Sequence, residues 1–198
     1  MESALLTGLG LAAPAGLNAY LPLLILALAD RFSNAITLSE PYDVIGSNLG
    51  LIVITFLLTI EIVVDKLPGL DHINDLVQSA IRPVVGGVLA LAATSDVASI
   101  NPGVALLLGL VAAGTVHAAK ATTRPAITLS TGGLGNPLIS IAEDAIAAAS
   151  AVVAIFLPAL VLIVLLAFVA FVVWAWQRMR RVRHIPVGEN VASTKLRR

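Results

Sequence analysis

The stretch NPLISIAEDAIAAASAVVAIFLPALVLIVLLAFVAFVVWAW, residues 136–176, decides the fold class, because its only charged residues are Glu143 and Asp144. A single helix of this length would reach about 60 Å, twice the thickness of the hydrocarbon core of a bilayer. We therefore predict two membrane spans, separated by a tight hairpin at Pro158. A single kinked helix over 137–177 that extends out of the bilayer is the alternative.

The composition agrees with a membrane protein. Of the 198 residues, 58% are hydrophobic and 12% are charged, whereas soluble domains carry about 25% charged residues. Runs of about 20 apolar residues, the length that crosses a bilayer, fall at 4–29, 46–66, 82–99, 102–122, 138–156 and 158–177. We predict an all-α, polytopic transmembrane helix bundle of about six spans in residues 1–178, followed by a basic, flexible cytoplasmic tail in 179–198. The chain has no cysteine, which excludes disulfides and thiolate metal sites.

The distribution of basic residues predicts the topology. Lysine and arginine accumulate on the cytoplasmic side of membrane proteins, and the basic sequence QRMRRVRH, residues 177–184, leads from the last predicted span into the tail. With six spans, the connections that hold Lys66 and Arg82, and Lys120 and Arg124, lie on the same side as this tail. Five spans would place Lys120 and Arg124 outside. We therefore predict an even number of spans with both termini in the cytoplasm.

Ionisable residues recur at one depth on three predicted spans. Glu61 precedes the end of the second run, His117 precedes the end of the fourth, and Glu143 and Asp144 follow the start of the fifth. Each lies about 7–11 Å inside the cytoplasmic boundary at 1.5 Å per residue. Charged groups at such depths usually face the bundle interior, pair with each other or line a cavity. With Asp65, which shares a helical face with Glu61, these residues predict one shared polar site.

Basic residues share a helical face in the same region. His117, Lys120 and Arg124 are spaced i, i+3 and i+7, which aligns their side chains. One alternative is a structural ion pair, in which Lys120 or Arg124 neutralises Glu143 or Asp144 and holds two helices together. For His117, a hydrogen-bonded packing role is as good an interpretation as a ligand or proton carrier.

The segment RPAITLSTGGLGNP, residues 124–137, predicts an interrupted helix. Gly132, Gly133 and Gly135 permit positive φ angles and close approach of the backbone, and Asn136 with Pro137 suits the start of a helix. We predict a re-entrant loop that leads into a helix N-terminus, as transporters use at their substrate sites. An ordinary tight loop is the alternative.

The first run contains the same kind of signal. In GLGLAAPAGLNAYLPLL, residues 8–24, Pro14 and Pro22 each remove a backbone donor, so a kink or an unwound stretch is expected. Unwound backbone inside a membrane is tolerated only where protein or a water-filled cavity satisfies it. Asn18 and Tyr20 are therefore candidates for lining a cavity.

Residues 63–83, VVDKLPGLDHINDLVQSAIRP, predict an amphipathic interfacial helix. Asp71, His72 and Asp75 could bind a divalent cation there. Two acids and a histidine in a solvated turn do not by themselves define a metal site, so the sequence identifies no metal. The sequence has no nucleotide-binding, zinc-protease or serine-hydrolase motif. Its formal net charge of zero gives no nucleic-acid footprint, and we predict no cofactor.

Several separate blocks carry a resemblance to a known family. GLAAPAGLNAYLPLL, EIVVDKLPGLDHIND, HAAKATTRPAITLSTGGLGNP and SIAED together resemble the bacterial integral membrane family described as domain of unknown function 4126, over about residues 4–175. The resemblance implies a compact polytopic bundle and no established activity. It also implies that the family pattern includes Asn18, Glu61, Asp65, Lys66, Asp71, His117, Lys120, Arg124, Gly132, Gly133, Asn136, Pro137, Glu143 and Asp144.

We expect a small membrane transporter or channel-like permease for an ion or a small polar solute, and proton coupling through Glu61, Glu143 or Asp144 is one form of this hypothesis. The expected partners are the lipid bilayer, here the bacterial cytoplasmic (inner) membrane, and the solute, with no nucleic acid. The candidate site for the solute or ion comprises Asn18, Glu61, Asp65, His117, Lys120, Arg124, Gly132, Gly133, Asn136, Glu143 and Asp144.

Two alternatives belong to other functional classes. The first is a structural or assembly protein whose polar residues form buried ion pairs, with a homodimer through the small-residue faces of spans three and four. The second is a membrane-embedded enzyme that acts on a lipid headgroup, with His117 and Glu143 as acid and base. An enzyme is the less favoured class, because no nucleophile or set of metal ligands stands out.

Overall fold

The computed structural model describes residues 2–66, 71–164, 166–167 and 174, and within them it contains only helices, turns and loops. Residues 1–162 form one compact unit and residues 163–198 form a second. The elements of the first unit are α1 (Glu2–Ala15), α2 (Tyr20–Phe32), a 3-10 helix (Tyr42–Gly46), α3 (Asn48–Lys66), α4 (Asp71–Thr94), α5 (Pro102–Thr131) and α6 (Asn136–Phe156). The prediction of an all-α fold is confirmed.

Four of these helices are long and apolar enough to cross a membrane. The qualifying segments are Asn48–Asp65, Leu76–Thr94, Pro102–Thr131 and Asn136–Phe156. The protein is therefore membrane-embedded. The last predicted span, 158–177, falls largely outside the described residues, as does the tail after 178, so both stay predictions.

Helix α1 runs antiparallel to α4 and ends in the middle of the bundle. Near its start, a Cβ added to Gly8 would lie 3.2 Å from Cα of Ala90, close to the end of α4. Four residues later, Ala12 lies beside Gly86. Just beyond the end of α1, Asn18 donates a hydrogen bond to Asp144 on α6. The beginning of α1 thus lies at the end of the bundle where α4 finishes.

Helix α2 returns to the end from which α1 came. Arg31, in its last turn, donates a hydrogen bond of 2.6 Å to Asn48 at the start of α3. The following loop reaches the same end, because the Ser39 amide donates to Oγ of Ser95, which follows α4. Helices α1 and α2 therefore form a re-entrant helical hairpin. Its tip, residues 16–19, lies deep in the bundle, and both of its open ends lie together.

The hairpin departs from the predicted single crossing over 4–29. Its helices have 14 and 13 residues, about 20 Å each, so neither spans a hydrocarbon core of about 30 Å. Gly16 allows the tip to press against α5, since a Cβ there would lie 2.3 Å from the carbonyl oxygen of Ala113. The start of α1 and the turn at 132–135 lie at opposite ends of the bundle. Which side of the membrane each end faces stays a prediction.

The predicted interfacial helix and the third span are one helix. Helix α4 starts at Asp71 and continues through Pro83 to Thr94. Its inner face combines polar and small residues four positions apart, namely Gln78, Arg82, Gly86 and Ala90, and all four are buried. Because this face continues in phase from the amphipathic part into the apolar part, no boundary separates the two.

The predicted re-entrant loop over 124–137 is also helical for most of its length. Helix α5 continues past Pro125 to Thr131 and ends at Gly132, with φ of 60° there and 84° at Gly133. These left-handed conformations suit glycine and close the helix end. The tight-loop alternative is therefore the correct one. Asn136 does not cap α6 but exchanges side-chain hydrogen bonds with Thr128.

The predicted break near Pro158 is present. Helix α6 ends at Phe156, and Leu157 has φ −137° and ψ 56°. Ala154 and Val161 both lie within 2.7 Å of the position that a Cβ on Gly10 would occupy. A straight helix would separate residues seven apart by about 10 Å, so the chain turns sharply at Leu157.

Candidate functional site

Six charged side chains from four helices form a buried cluster, which we call the charge network. Its three acids are Glu61 and Asp65 on α3 and Glu143 on α6, and its three bases are Arg82 on α4 and Lys120 and Arg124 on α5. Five of these side chains are at most 4% exposed, and Glu143 is 13% exposed. Each helix of the network is long and apolar enough to span a membrane.

Asp65 is held from several sides at the centre of the network. Its Oδ2 lies 3.2 Å from Lys120 Nζ and 3.2 Å from Arg124 Nη2. Ser140 on α6 donates to the same oxygen over 3.5 Å, and Arg82 Nη2 lies 3.9 Å away. Because donors from α4, α5 and α6 converge on it, Asp65 fixes how these helices meet α3.

Glu143 faces the same two bases from the other side. Its Oε2 lies 2.9 Å from Lys120 Nζ and 3.3 Å from Arg124 Nη2. Lys120 and Arg124 therefore each bridge a carboxylate of α3 and one of α6. Glu143 is the most exposed member of the network, at 13%.

Arg82 connects the acids to His117. This side chain is 0% exposed, and its Nη2 lies 3.0 Å from Glu61 Oε1, while its Nη1 lies 3.0 Å from His117 Nδ1. Arginine only donates hydrogen bonds, so His117 Nδ1 must accept. The histidine is then neutral, with the proton on Nε2, which lies 3.0 Å from Ser79 Oγ. A second proton on His117 would point at the guanidinium and break this contact.

The hairpin tip is bound to the charge network through Lys120 and to α6 through Asp144, the residue next to Glu143. Lys120 Nζ donates to the carbonyl oxygen of Leu17 over 2.8 Å, and Asn18 Nδ2 donates to Asp144 Oδ1 over 2.9 Å. The other end of the Asn18 amide accepts from the amides of Tyr20 and Leu21 at 3.1 and 3.0 Å. Asn18 thereby starts α2 and connects it to α6, while its predicted role in lining a cavity stays a prediction.

Most of the predicted site residues meet in this region. The structure brings together Asn18, Glu61, Asp65, His117, Lys120, Arg124, Glu143 and Asp144. It leaves out Gly132 and Gly133, which form the turn with nothing within 4 Å of an added Cβ. Asn136 is buried, and its side chain exchanges hydrogen bonds with Thr128 near the end of α5.

Arg82 is the residue that sequence reasoning missed. The charge rule placed it in a cytoplasmic connection, whereas α4 starts eleven residues earlier. The spacing of Gln78, Arg82 and Gly86 at i, i+4 and i+8 was the available signal. A polar residue on the face that later carries small packing residues belongs inside the bundle.

Two buried oxygen atoms complete the site. Among the described residues, Glu61 Oε2 and Gln78 Oε1 are buried without a hydrogen-bond partner. An unsatisfied buried acceptor is costly, and such atoms in a native fold call for an explanation. A proton or a small solute donor is the chemistry that these oxygens can accept.

A metal centre has little support in the described part of the chain. No group of three or more histidine, cysteine, aspartate or glutamate side chains there is arranged to hold a metal ion. The side chains of Asp71, His72 and Asp75 lie outside what the structure describes, so the weak cation site predicted for them stays a prediction.

Comparison with known proteins identifies the family of this chain. No curated protein and no solved structure matches the chain. One family model does match, that of Domain of unknown function (DUF4126), and it covers residues 5–178. That range includes the hairpin tip and every member of the charge network. The chain therefore belongs to the DUF4126 family.

Proposed function

We propose that the protein is a small membrane transporter or channel-like permease for an ion or a small polar solute. The observation that carries this proposal is the meeting of the hairpin tip with the charge network. Lys120 touches both, through the Leu17 carbonyl at 2.8 Å and Glu143 at 2.9 Å. The bilayer interior disfavours both non-helical backbone and charge, and here both occur at one place.

The free-energy cost of charged side chains and non-helical backbone inside a membrane favours a solute site. Ionised side chains near a membrane centre cost at least about 2.5–3.5 kcal/mol each and commonly mark solute or ion pathways. Non-helical backbone at membrane depth is tolerated where protein buries it or where it lines a cavity. Transporters place solute sites where interrupted helices meet polar side chains. The same combination occurs here.

Proton coupling is the form of the proposal that the acids favour. A proton on Glu61 Oε2 would neutralise the carboxylate that Arg82 contacts at 3.0 Å. Arg82 would then keep its contact with His117 and its position 3.9 Å from Asp65. A local protonation would in this way change how α3 and α4 meet, which is what a coupled carrier needs.

Solute-driven shrinkage of proteoliposomes tests the proposal. Vesicles with purified protein are diluted into a panel of salts and small neutral solutes, and light scattering reports which solutes enter. One solute class should enter faster than into protein-free vesicles. The combined variant Glu143→Gln with Asp144→Asn should lower that rate, while Arg31→Gln, an exposed change outside the network, should not. Unchanged rates for the folded network variant would refute the proposal.

Charge balance favours a second candidate, a structural or assembly protein. The three bases match the three acids of the network, so the cluster could serve only to hold α3, α4, α5 and α6 together. The swap of Lys120→Glu with Glu143→Lys distinguishes the two functions. A structural role predicts recovered stability with no loss of function, and a permease predicts altered flux even where stability recovers.

The small-residue faces that suggested a homodimer pack against each other within the chain. A Cβ on Gly109 of α5 would lie 2.4 Å from the carbonyl oxygen of Gly86 on α4. An assembly role would therefore need another surface.

A further inference from the structure

Two acids share the same pair of bases in different ways. Asp65 is 3% exposed and receives donors from three other helices. Glu143 is 13% exposed and contacts Lys120 and Arg124 through a single oxygen. Asp65 is thus the fixed counter-ion, while Glu143 can leave without releasing α3 from α4 and α5. We propose that Lys120 and Arg124 form a binding site for a small carboxylate anion, which the Glu143 side chain fills in this structure.

The chemistry of the occupant defines the class of ligand. Charge-assisted hydrogen bonds from arginine and lysine to a carboxylate are short and about twice as strong as neutral ones. The planar guanidinium of Arg124 matches a carboxylate in particular. When Glu143 withdraws, three bases face the two remaining acids of the network, Glu61 and Asp65. The positions on Lys120 Nζ and Arg124 Nη2 that Glu143 Oε2 occupied are then open to a small carboxylate from solution.

This inference deepens the proposed function and rests on it for the transport step alone. A permease built in this way would exchange its internal carboxylate for that of the solute. Binding at Lys120 and Arg124 is a separate claim, and it can be measured without flux.

Chemical rescue in purified protein tests the site. Glu143→Ala removes the internal carboxylate and leaves room for a small one, and Asp144→Ala removes the same charge from the next residue of α6. Melting temperatures are measured in sodium acetate and in sodium chloride at equal ionic strength. Acetate should restore about half of the melting temperature that Glu143→Ala loses, because a ligand that binds only the native state stabilises it. Chloride should restore less, and acetate should not restore Asp144→Ala.

Three results would overturn the inferred carboxylate site. Equal rescue by chloride would show a general anion site, and equal rescue of Asp144→Ala would show an effect of net charge. If Glu143→Ala does not fold, Glu143→Ser, which also leaves room for acetate, takes its place, and the absence of any acetate effect would refute the site. Acetate rescue without solute entry into proteoliposomes would contradict the permease and leave the site standing. Solute entry without acetate rescue would contradict the carboxylate site and leave the permease standing.

Discussion

At the scale of single residues, Arg82 is the residue whose replacement should reduce the stability of the charge network most. It is fully buried, and it joins Glu61 at 3.0 Å to His117 at 3.0 Å. Removing one partner of a buried ion pair leaves the other charge without compensation, whereas replacing both with apolar side chains is often neutral. The network is therefore expected to tolerate paired changes much better than single ones.

Replacing Arg82 alone should destabilise the protein severely. We expect Arg82→Met to cost about 3–5 kcal/mol, because Glu61 is left buried and unpaired. The combined variant Glu61→Leu with Arg82→Met should recover most of this loss. Unfolding in detergent measures both, with Arg31→Met as the exposed control. Equal losses for the single and the combined variant would contradict the ion pair.

Asn18 offers a test of the contact at the hairpin tip. Asn18→Asp keeps the oxygen that caps α2 but replaces the donor to Asp144 with a second carboxylate. A loss of about 1–3 kcal/mol is expected from the missing hydrogen bond. Asp144→Asn, added to Asn18→Asp, should restore a donor and an acceptor and so recover the stability in the same unfolding assay. Failure of this rescue would mean that the two side chains do not meet.

At the scale of the elements, the hydrophobic pattern predicted three long helices and the break that follows the last of them. The runs at 46–66, 102–122 and 138–156 correspond to α3, α5 and α6, and the break at Pro158 was correct. The length of an apolar run does not show whether the chain crosses the membrane or turns back. Residues 4–29, which lie in the hairpin of α1 and α2, were therefore predicted as one span. The reversal of the hairpin depends on tertiary contacts of Gly16 and Asn18. Helix α5 was underestimated because Pro125 and the glycines suggested a loop, although packing tolerates that proline within the helix.

The packing of α4 on α5 depends on glycine at one defined position. We expect Gly109→Ala to cost about 1–3 kcal/mol, since its Cβ would overlap the Gly86 carbonyl at 2.4 Å. Gly114→Ala on the same helix is the matched control, because its nearest new neighbour is Pro83 at 3.7 Å. Unfolding of both variants tests the interface. A destabilised Gly114→Ala with an unaffected Gly109→Ala would contradict this packing.

At the scale of the whole molecule, the convergence of the polar residues was easier to predict than the path of the chain. Eight of the eleven candidate residues converge because depth along a helix follows directly from position in the sequence. Which end of α1 faces which side does not follow from position. It depends on whether the chain crosses or turns back, and Asn18 within the turn 16–19 marks an unwound stretch without showing which of the two occurs.

Cysteine labelling can test the hairpin, because the chain has no cysteine of its own. Single variants Ser3→Cys, Ala35→Cys and Leu134→Cys place exposed thiols at the start of α1, in the loop after α2 and in the turn after α5. A membrane-impermeant maleimide should label the first two from one side of the membrane and the third from the other. We predict the cytoplasmic side for Leu134→Cys. Labelling of Ser3→Cys and Leu134→Cys from the same side would contradict the re-entrant hairpin.

The flux of the combined variant Glu61→Leu with Arg82→Met tests the central claim most directly. This variant removes one acid and one base and replaces them with apolar side chains of similar volume, so the fold should survive. In proteoliposomes, using the solute that wild-type protein passes fastest, we predict a melting temperature close to wild type and loss of the protein-dependent flux. Wild-type flux from the folded variant, or no wild-type flux above protein-free vesicles, would show that the charge network is not a solute pathway.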